Sequence, residues 1–517
     1  METRLPADLL IENVTVLTMN PLHPSAHGVA VANGKIIGLL QQEQSWPLAV
    51  NGIRIDGKGL TLFPGLIDAH CHLRAQISQF PSVSCGADTV KNIQDIIQAI
   101  RQQADSLPEG IWIRASGYDI SSLTEQRHPT RHDLDQATTS HPIRLRHVTR
   151  HVSVLNSLAL ELAGITRETI DPPGVYVERD ALTGIPTGVI FGGDAWLSRD
   201  IIPRLNKGEL MRGAAQLQSQ LLHSGITAVQ DATPSNSLED LKFWAARLDE
   251  DWPISIQFMT GLNDRHLIAD YVGALPEIHA GKLELGHCKI VMEPLPELHP
   301  DLEELSRLAR EATRQDIPLA IHVVDPEMTW TAIEAIRHSK EIFPHKQLRH
   351  RLEHLSLCPD AFLPDMAKLG ITVVTNPSLI YDHGNRYLAD VDPTEHDWLY
   401  RMNSLRTIGV PLAAGSDAPV ASVNPWIGMQ AACTRSTKTG NLIGVAEKLN
   451  RWEALKLYTS GAAYAAGWEK TRGIIAPSYQ ADFLLIDQNP LTCEADELGM
   501  IDVCAVWIAG KLVHGSL

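Results

Sequence analysis

The sequence predicts an α/β protein built on a closed (β/α)8 barrel of the TIM type, and three observations carry that expectation. From about residue 225 onward, short apolar strands alternate with helical patterns in a βα rhythm. With one earlier stretch, eight such strands can be counted. Polar or ionisable side chains stand at or near the C-terminal ends of five of them, the face where barrels of this kind place their chemistry.

The strands are "TLFPGLIDAH" (61–70), "GITAVQDA" (225–232), "ISIQFMTG" (254–261), "LGHCKIVM" (285–292), "PLAIHVV" (318–324), "HRLEHLSL" (350–357), "ITVVTNP" (371–377) and "PLAAGSDA" (411–418). Between them lie helices such as "PDLEELSRLAREATRQ", where Leu302, Leu305, Leu308 and Ala309 form one apolar face and Asp301 can cap the N-terminus. The stretch from about 74 to 222 breaks the rhythm and is far longer than a βα loop. It carries its own helical patterns, "TVKNIQDIIQAIRQQADSL" and "SRDIIPRLNKGELMRGAAQLQSQLLHSG", and reads as an inserted subdomain covering the barrel mouth. The first sixty and last forty-five residues follow β grammar instead, with Asn33-Gly34 as a hairpin turn. At 517 residues, one large domain with a smaller satellite is the natural organisation.

Composition excludes several function classes. A formal net charge of -17 with no large Lys/Arg cluster argues against nucleic acid or an anionic membrane surface as partner. No run approaches the ~18 to 20 apolar residues of a membrane span, and the N-terminus lacks the apolar core of a signal peptide. The seven cysteines are scattered, odd in number and form no CxxC pair, which fits a reduced, cytoplasmic protein.

The chemistry centres on "LIDAHCHL" (66–73). On a strand, residues i and i+2 face the same side, so His70 and His72 can both face the barrel mouth while Cys71 turns away. A lone His-x-His pair is more often an ordinary hydrogen-bonded pair than a ligand pair. Here it has company: His322, His354, Lys289 and Asp417 all fall near strand ends, where each would otherwise be a costly, partly buried polar group. Four neutral imidazoles and a carboxylate suit zinc or a similar divalent ion. A lysine ammonium beside a dication is repelled, so Lys289 is either a carbamate formed with CO2, able to bridge two ions, or a charge reaching for substrate.

These residues resemble the amidohydrolase superfamily, with HxH on the first strand, a bridging group on the fourth, His on the fifth and sixth, and Asp on the eighth. More narrowly, the chain is similar to amidohydrolase family 3, the branch that includes N-substituted formamide deformylases. The resemblance runs through "FPGLIDAHCHL", "HPTRHDLDQA", "HVSVLNSLALELAGI", "TGIPTGVI", "SGITAVQDA", "RLEHL", "GVPLAAGSDAPVASVNPWIGMQAACTR" and "ADFLLIDQNP". It implies a small β-sandwich formed from both termini (1–60 plus 472–517) beside a barrel of 61–471, and it implies a homodimer. Three departures stand out: Arg150 where a Gly is usual before the His of "HVSVLNS", a short loop "IVMEPLPELHP" after Lys289, and Ser478-Tyr479 in place of Gly-Lys.

The implied activity is hydrolysis of a carbon-nitrogen bond of a small molecule, an N-formyl, N-acyl or cyclic amide, by metal-activated water. The resemblance assigns His70, His72 and Asp417 to a more buried ion, His322 and His354 to a more exposed one, and Lys289 as carbamate between them. A single ion at His70, His72, His322 and Asp417 is also chemically sufficient, with His354 orienting substrate or water. Asp417 is the expected general base. His151 and Arg150 are candidate substrate contacts, each set against a packing or solvated role. Arg351 and Glu353 read as a structural ion pair, with Glu353 facing away from the side His354 takes. Asp325 reads as a helix cap, and Trp426 as either pocket wall or packing. Two other readings are a single-metal deaminase of a heterocyclic amidine and a non-catalytic binding protein on the same fold.

Overall fold

The structure, a computed structural model, describes residues 5–42, 44–263, 265–276, 279, 281–294 and 297–516. It divides into two compact units: residues 1–73, 218–291 and 302–517 form the first, and 74–217 with 292–301 the second.

The first unit contains the barrel. Its strands are β1 (Leu66–Cys71), β2 (Ile226–Asp231), β3 (Ser255–Thr260), β4 (Leu283–Ile290), β5 (Leu319–Val323), β6 (Arg351–His354), β7 (Thr372–Thr375) and β8 (Leu412–Ala414). They pair in parallel in strict chain order. The six residues of β1, β2 and β3 are each buried throughout, as expected of parallel strands covered on both faces. Intervening helices pack outside; the Pro326–Ile342 helix starts at Asp325, whose side chain accepts a 2.8 Å bond from the Met328 amide. Asp325 is therefore the cap its position suggested.

The ring closes just beyond the end of β8. The Asp417 amide donates to the His70 carbonyl at 2.8 Å and the His72 amide to the Ala418 carbonyl at 3.0 Å. Buried Asp68 adds a side-chain clasp, accepting from the Ser416 amide (2.9 Å), the Ser416 hydroxyl (2.6 Å) and the His70 amide (3.1 Å). The chains approach so closely that a Cβ on Gly415 would lie 2.3 Å from the His70 nitrogen and 2.7 Å from its Cα. Backbone cannot yield as a flexible side chain would. Gly415→Ala is expected to destabilise the fold by ~1–3 kcal/mol, read as a lower thermal midpoint; an unchanged midpoint would mean the seam is loose.

The terminal sandwich is one continuous eight-stranded sheet. Thr61–Pro64 pairs in parallel with Ala7–Leu17 and antiparallel with Phe483–Ile486, stitching the two ends of the chain together. The apolar run that reads as one strand from 61 to 70 thus serves two sheets, changing over at Gly65. Ile11, Val29, Phe483 and Trp507 share its core. Asn33 (φ 52°) and Gly34 (φ 73°) are both left-handed, as a tight two-residue hairpin turn requires.

The second unit has a six-stranded sheet in the order Tyr176–Arg179, Pro186–Phe191, Val152–Leu155, Ile143–His147, Ile113–Tyr118, Val83–Ser84. The helix expected over "TVKNIQDIIQAIRQQADSL" spans Ile93–Ala104, capped by Asn92, whose side chain accepts from the Asp95 amide. The helix expected from residue 198 is broken: a π-helical turn, Leu197–Ile201, ends before Pro203, and the α-helix begins at Lys207. Proline lacks the amide that would continue the ladder. Among the described residues, no helix is long and apolar enough to cross a membrane.

Candidate metal centre

His70 lies on β1 and His72 one residue beyond it, and the alternation of the strand sends both rings to one side. Their centroids are 5.3 Å apart; His70 and His354 are 4.6 Å apart, and His354 and His322 another 4.6 Å. Four imidazoles from three strands thus form one chain. Asp417 completes it, with Oδ1 3.1 Å from His72 Nε2 and 3.6 Å from His70 Nε2. Ligand atoms of His70, His354 and Asp417 all lie within 4.8 Å of one another.

Two of these residues stand in unusual backbone. His354 (φ 68°) and Asp417 (φ 56°) are left-handed, a conformation that costs a non-glycine residue energy and recurs at functional sites. The turn at His354 also overturns one expectation. Glu353 does not face away: its carboxylate bonds His70 Nδ1, while His354, the next residue, still reaches the same centre. Strand alternation holds only while φ stays extended, and His354 breaks it.

Hydrogen bonds fix the imidazole tautomers. Asn376 donates from Nδ2 to the Gly415 carbonyl (2.9 Å), so its Oδ1, 2.7 Å from His354 Nδ1, accepts from that nitrogen. Thr233 donates its hydroxyl to Asp231 (2.7 Å), leaving a lone pair for His72 Nδ1–H at 2.9 Å. Glu353 accepts from His70 Nδ1–H. Each ring therefore carries its proton on Nδ1 and a lone pair on Nε2. The lone pair of His72 faces the Asp417 carboxylate at 3.1 Å. Two acceptors at that distance repel unless positive charge lies between them, and buried His70 Nε2 has no hydrogen-bond partner among the described residues. The donor set fits a divalent cation.

The electrostatics agree. Burial, aided by the Lys289 charge, pushes His70 down to about 3, and burial lowers His354 as well, so both stay neutral ligands. Burial alone would raise Asp417, and positive charge at His354, His72 and His70 is what lowers it; with those rings neutral, that charge falls to a cation at the centre. Lys289, on β4, is buried, and its Nζ has no hydrogen-bond partner among the described residues. Burial, with repulsion from Arg351, lowers its pKa to about 8.

Other sequence candidates fall elsewhere. Arg150 and His151 belong to the second unit, where His151 Nδ1 lies 3.8 Å from Glu293. Arg150 occupies a left-handed position (φ 63°), the conformation glycine takes most readily, which accounts for a Gly being usual there. Leu295 and Pro296 of the short loop after Lys289 lie outside the described residues. Trp426 is buried and packs on Phe63 with ring centroids 5.8 Å apart, so it is a packing residue. The supporting residues Asp68, Asp231, Thr233 and Asn376 escaped the sequence reading. Asp68 and Asn376 carried a usable signal, as polar residues inside or directly after an apolar strand run.

A parallel barrel with imidazoles, a carboxylate and a buried lysine gathered at its strand ends defines the class of metal-dependent hydrolases. Residues 54–514 match the amidohydrolase family, and the chain belongs to that family. It is an enzyme, acting on carbon-nitrogen bonds other than peptide bonds. It is 28% identical over 540 residues to the N-substituted formamide deformylase of Arthrobacter pascens, covering 98% of each chain. It is 26% identical to YtcJ of Bacillus subtilis (strain 168), covering 88% of this chain and 89% of that one. An uncharacterized metal-dependent hydrolase from Pyrococcus horikoshii OT3 superposes with a TM-score of 0.72 at 21% identity, covering 94% of this chain and 99% of the other.

Proposed function

We propose that the protein hydrolyses the carbon-nitrogen bond of a small N-formyl, N-acyl or cyclic amide at a zinc or similar divalent centre held by His70, His72, His322, His354 and Asp417. The observation that carries this reading is the convergence of Nε2 lone pairs on a carboxylate, an arrangement that calls for a cation. The similarity to a formamide deformylase supports the N-formyl class. When bound, the ion supplies acidity to water and polarises the substrate carbonyl.

The protein's residues do the rest. Asp417, facing His70 and His72, is placed to take a proton from water and hand it to the departing amine. Glu353, Thr233 and Asn376 hold the imidazoles in register, and the buried surroundings of His70 and Lys289 limit access of bulk water. The lowered pKa of Lys289 keeps part of its amine neutral near pH 8, the form that adds CO2, and a carbamate there would be an anionic ligand between two ions. Arg150 and His151 are the candidate contacts to substrate.

The test is metal analysis of protein from zinc-supplemented growth, joined to a turnover screen of N-formyl, N-acyl and cyclic amides. Bound divalent metal with turnover of one of these classes is expected. Metal-free, inactive protein would leave a binding protein on this fold. Full activity and metal content in Lys289→Ala would instead favour a single-ion deaminase.

A further inference from the structure

The Arg351–Glu353 pair occupies the barrel interior with both side chains fully buried. Its hydrogen bonds are complete. Arg351 gives Nε and one terminal nitrogen to Glu353, that same nitrogen to the Ala69 carbonyl at 2.6 Å, and the other to Gln230 Oε1. Gln230 is itself oriented by donating to the Ala462 carbonyl at 3.0 Å. The carboxylate then receives the Nδ1 proton of His70. A pair serving only to fill the core would not need to spend a carboxylate oxygen on a histidine whose other nitrogen faces the centre. Nor would its arginine need to hold the backbone carbonyl just before that histidine.

The three tautomer-fixing acceptors also differ in kind. His72 and His354 are held by neutral oxygens, a hydroxyl and an amide. His70 alone among the three is held by a carboxylate, which draws on the Nδ1 proton and makes Nε2 the more basic donor. We infer that Glu353, braced by Arg351, is a positioning residue that presets His70 as the anchoring ligand of the centre, so that the first-strand ligand is aimed and electron-rich before an ion arrives. This rests on the metal-centre reading above.

Glu353→Asp separates this role from a structural one. It keeps the negative charge beside Arg351 but withdraws the carboxylate from His70 by one methylene. Zinc affinity, measured by chelator competition on the full chain, is expected to weaken about 10- to 100-fold, with an altered absorption spectrum of the cobalt-substituted protein and little change in the melting of the metal-free protein. Unchanged zinc affinity and cobalt spectrum in a folded Glu353→Asp would overturn the inference. Should that variant not fold, Arg351→Met combined with Glu353→Gln removes both charges together; weakened zinc binding is again expected, and wild-type affinity there overturns it. Wild-type protein that takes up no zinc would instead bring down the metal-centre reading itself, a result distinct from a variant that matches wild type.

Discussion

Asp417→Asn lowers turnover by about 10²- to 10⁴-fold, the range that a positioned acid-base group supplies. The substitution is chosen to leave the frame alone. Asparagine has the same shape and, like aspartate, tolerates the left-handed backbone found at this position (φ 56°) better than alanine would. The amide bond that closes the ring, Asp417 N–H to the His70 carbonyl, is untouched. What is lost is the negative charge facing His70 and His72, and with it the ability to take up a proton. The measurement is kcat on the best amide from the screen, with circular dichroism and zinc content as controls. Wild-type turnover in a folded, metal-loaded Asp417→Asn would remove Asp417 from its role as base.

Arg351→Met destabilises the protein by ~3–5 kcal/mol, the cost of leaving a buried charge without its partner. Burial alone would raise the Glu353 carboxyl, but Arg351 and His70 keep it well below the usual range, so it is ionised in the folded protein. Methionine fills much of the volume but offers no proton to the carboxylate, to Gln230 or to the Ala69 carbonyl. The sign of the pH dependence follows. A group whose folded pKa lies below its unfolded value of about 4.3 contributes stability that is present above that pH and lost as pH falls toward the folded pKa. In Arg351→Met that contribution shrinks, and the gap in thermal midpoint between variant and wild type narrows on acidification. A midpoint within a degree of wild type at neutral pH would show that the carboxylate finds another partner.

Much of the barrel was legible because parallel strands buried on both faces are short apolar runs, and nothing else in the chain combines that length with that spacing. The His-x-His pair was legible for a related reason: a period of two puts His70 and His72 on one side of any strand. Legibility ended where local rules yield to tertiary geometry. The run from 61 to 70 carries no mark of the sheet each half will join, since hydrophobicity reports burial and not partner. Glu353 was assigned to the wrong side because alternation presumes extended backbone, and the left-handed turn at His354 cannot be read from the letters "RLEHL". Asp68 was invisible as a clasp because its partner, Ser416, is 348 positions away.

That separation has a consequence for how the enzyme comes into being. The clasp between Asp68 and Ser416 can form only once the chain extends past Ser416, and it steadies the turn that carries Asp417. His70 and His72 open the ring and Asp417 ends it, so the centre is assembled only when head and tail of the ring have met.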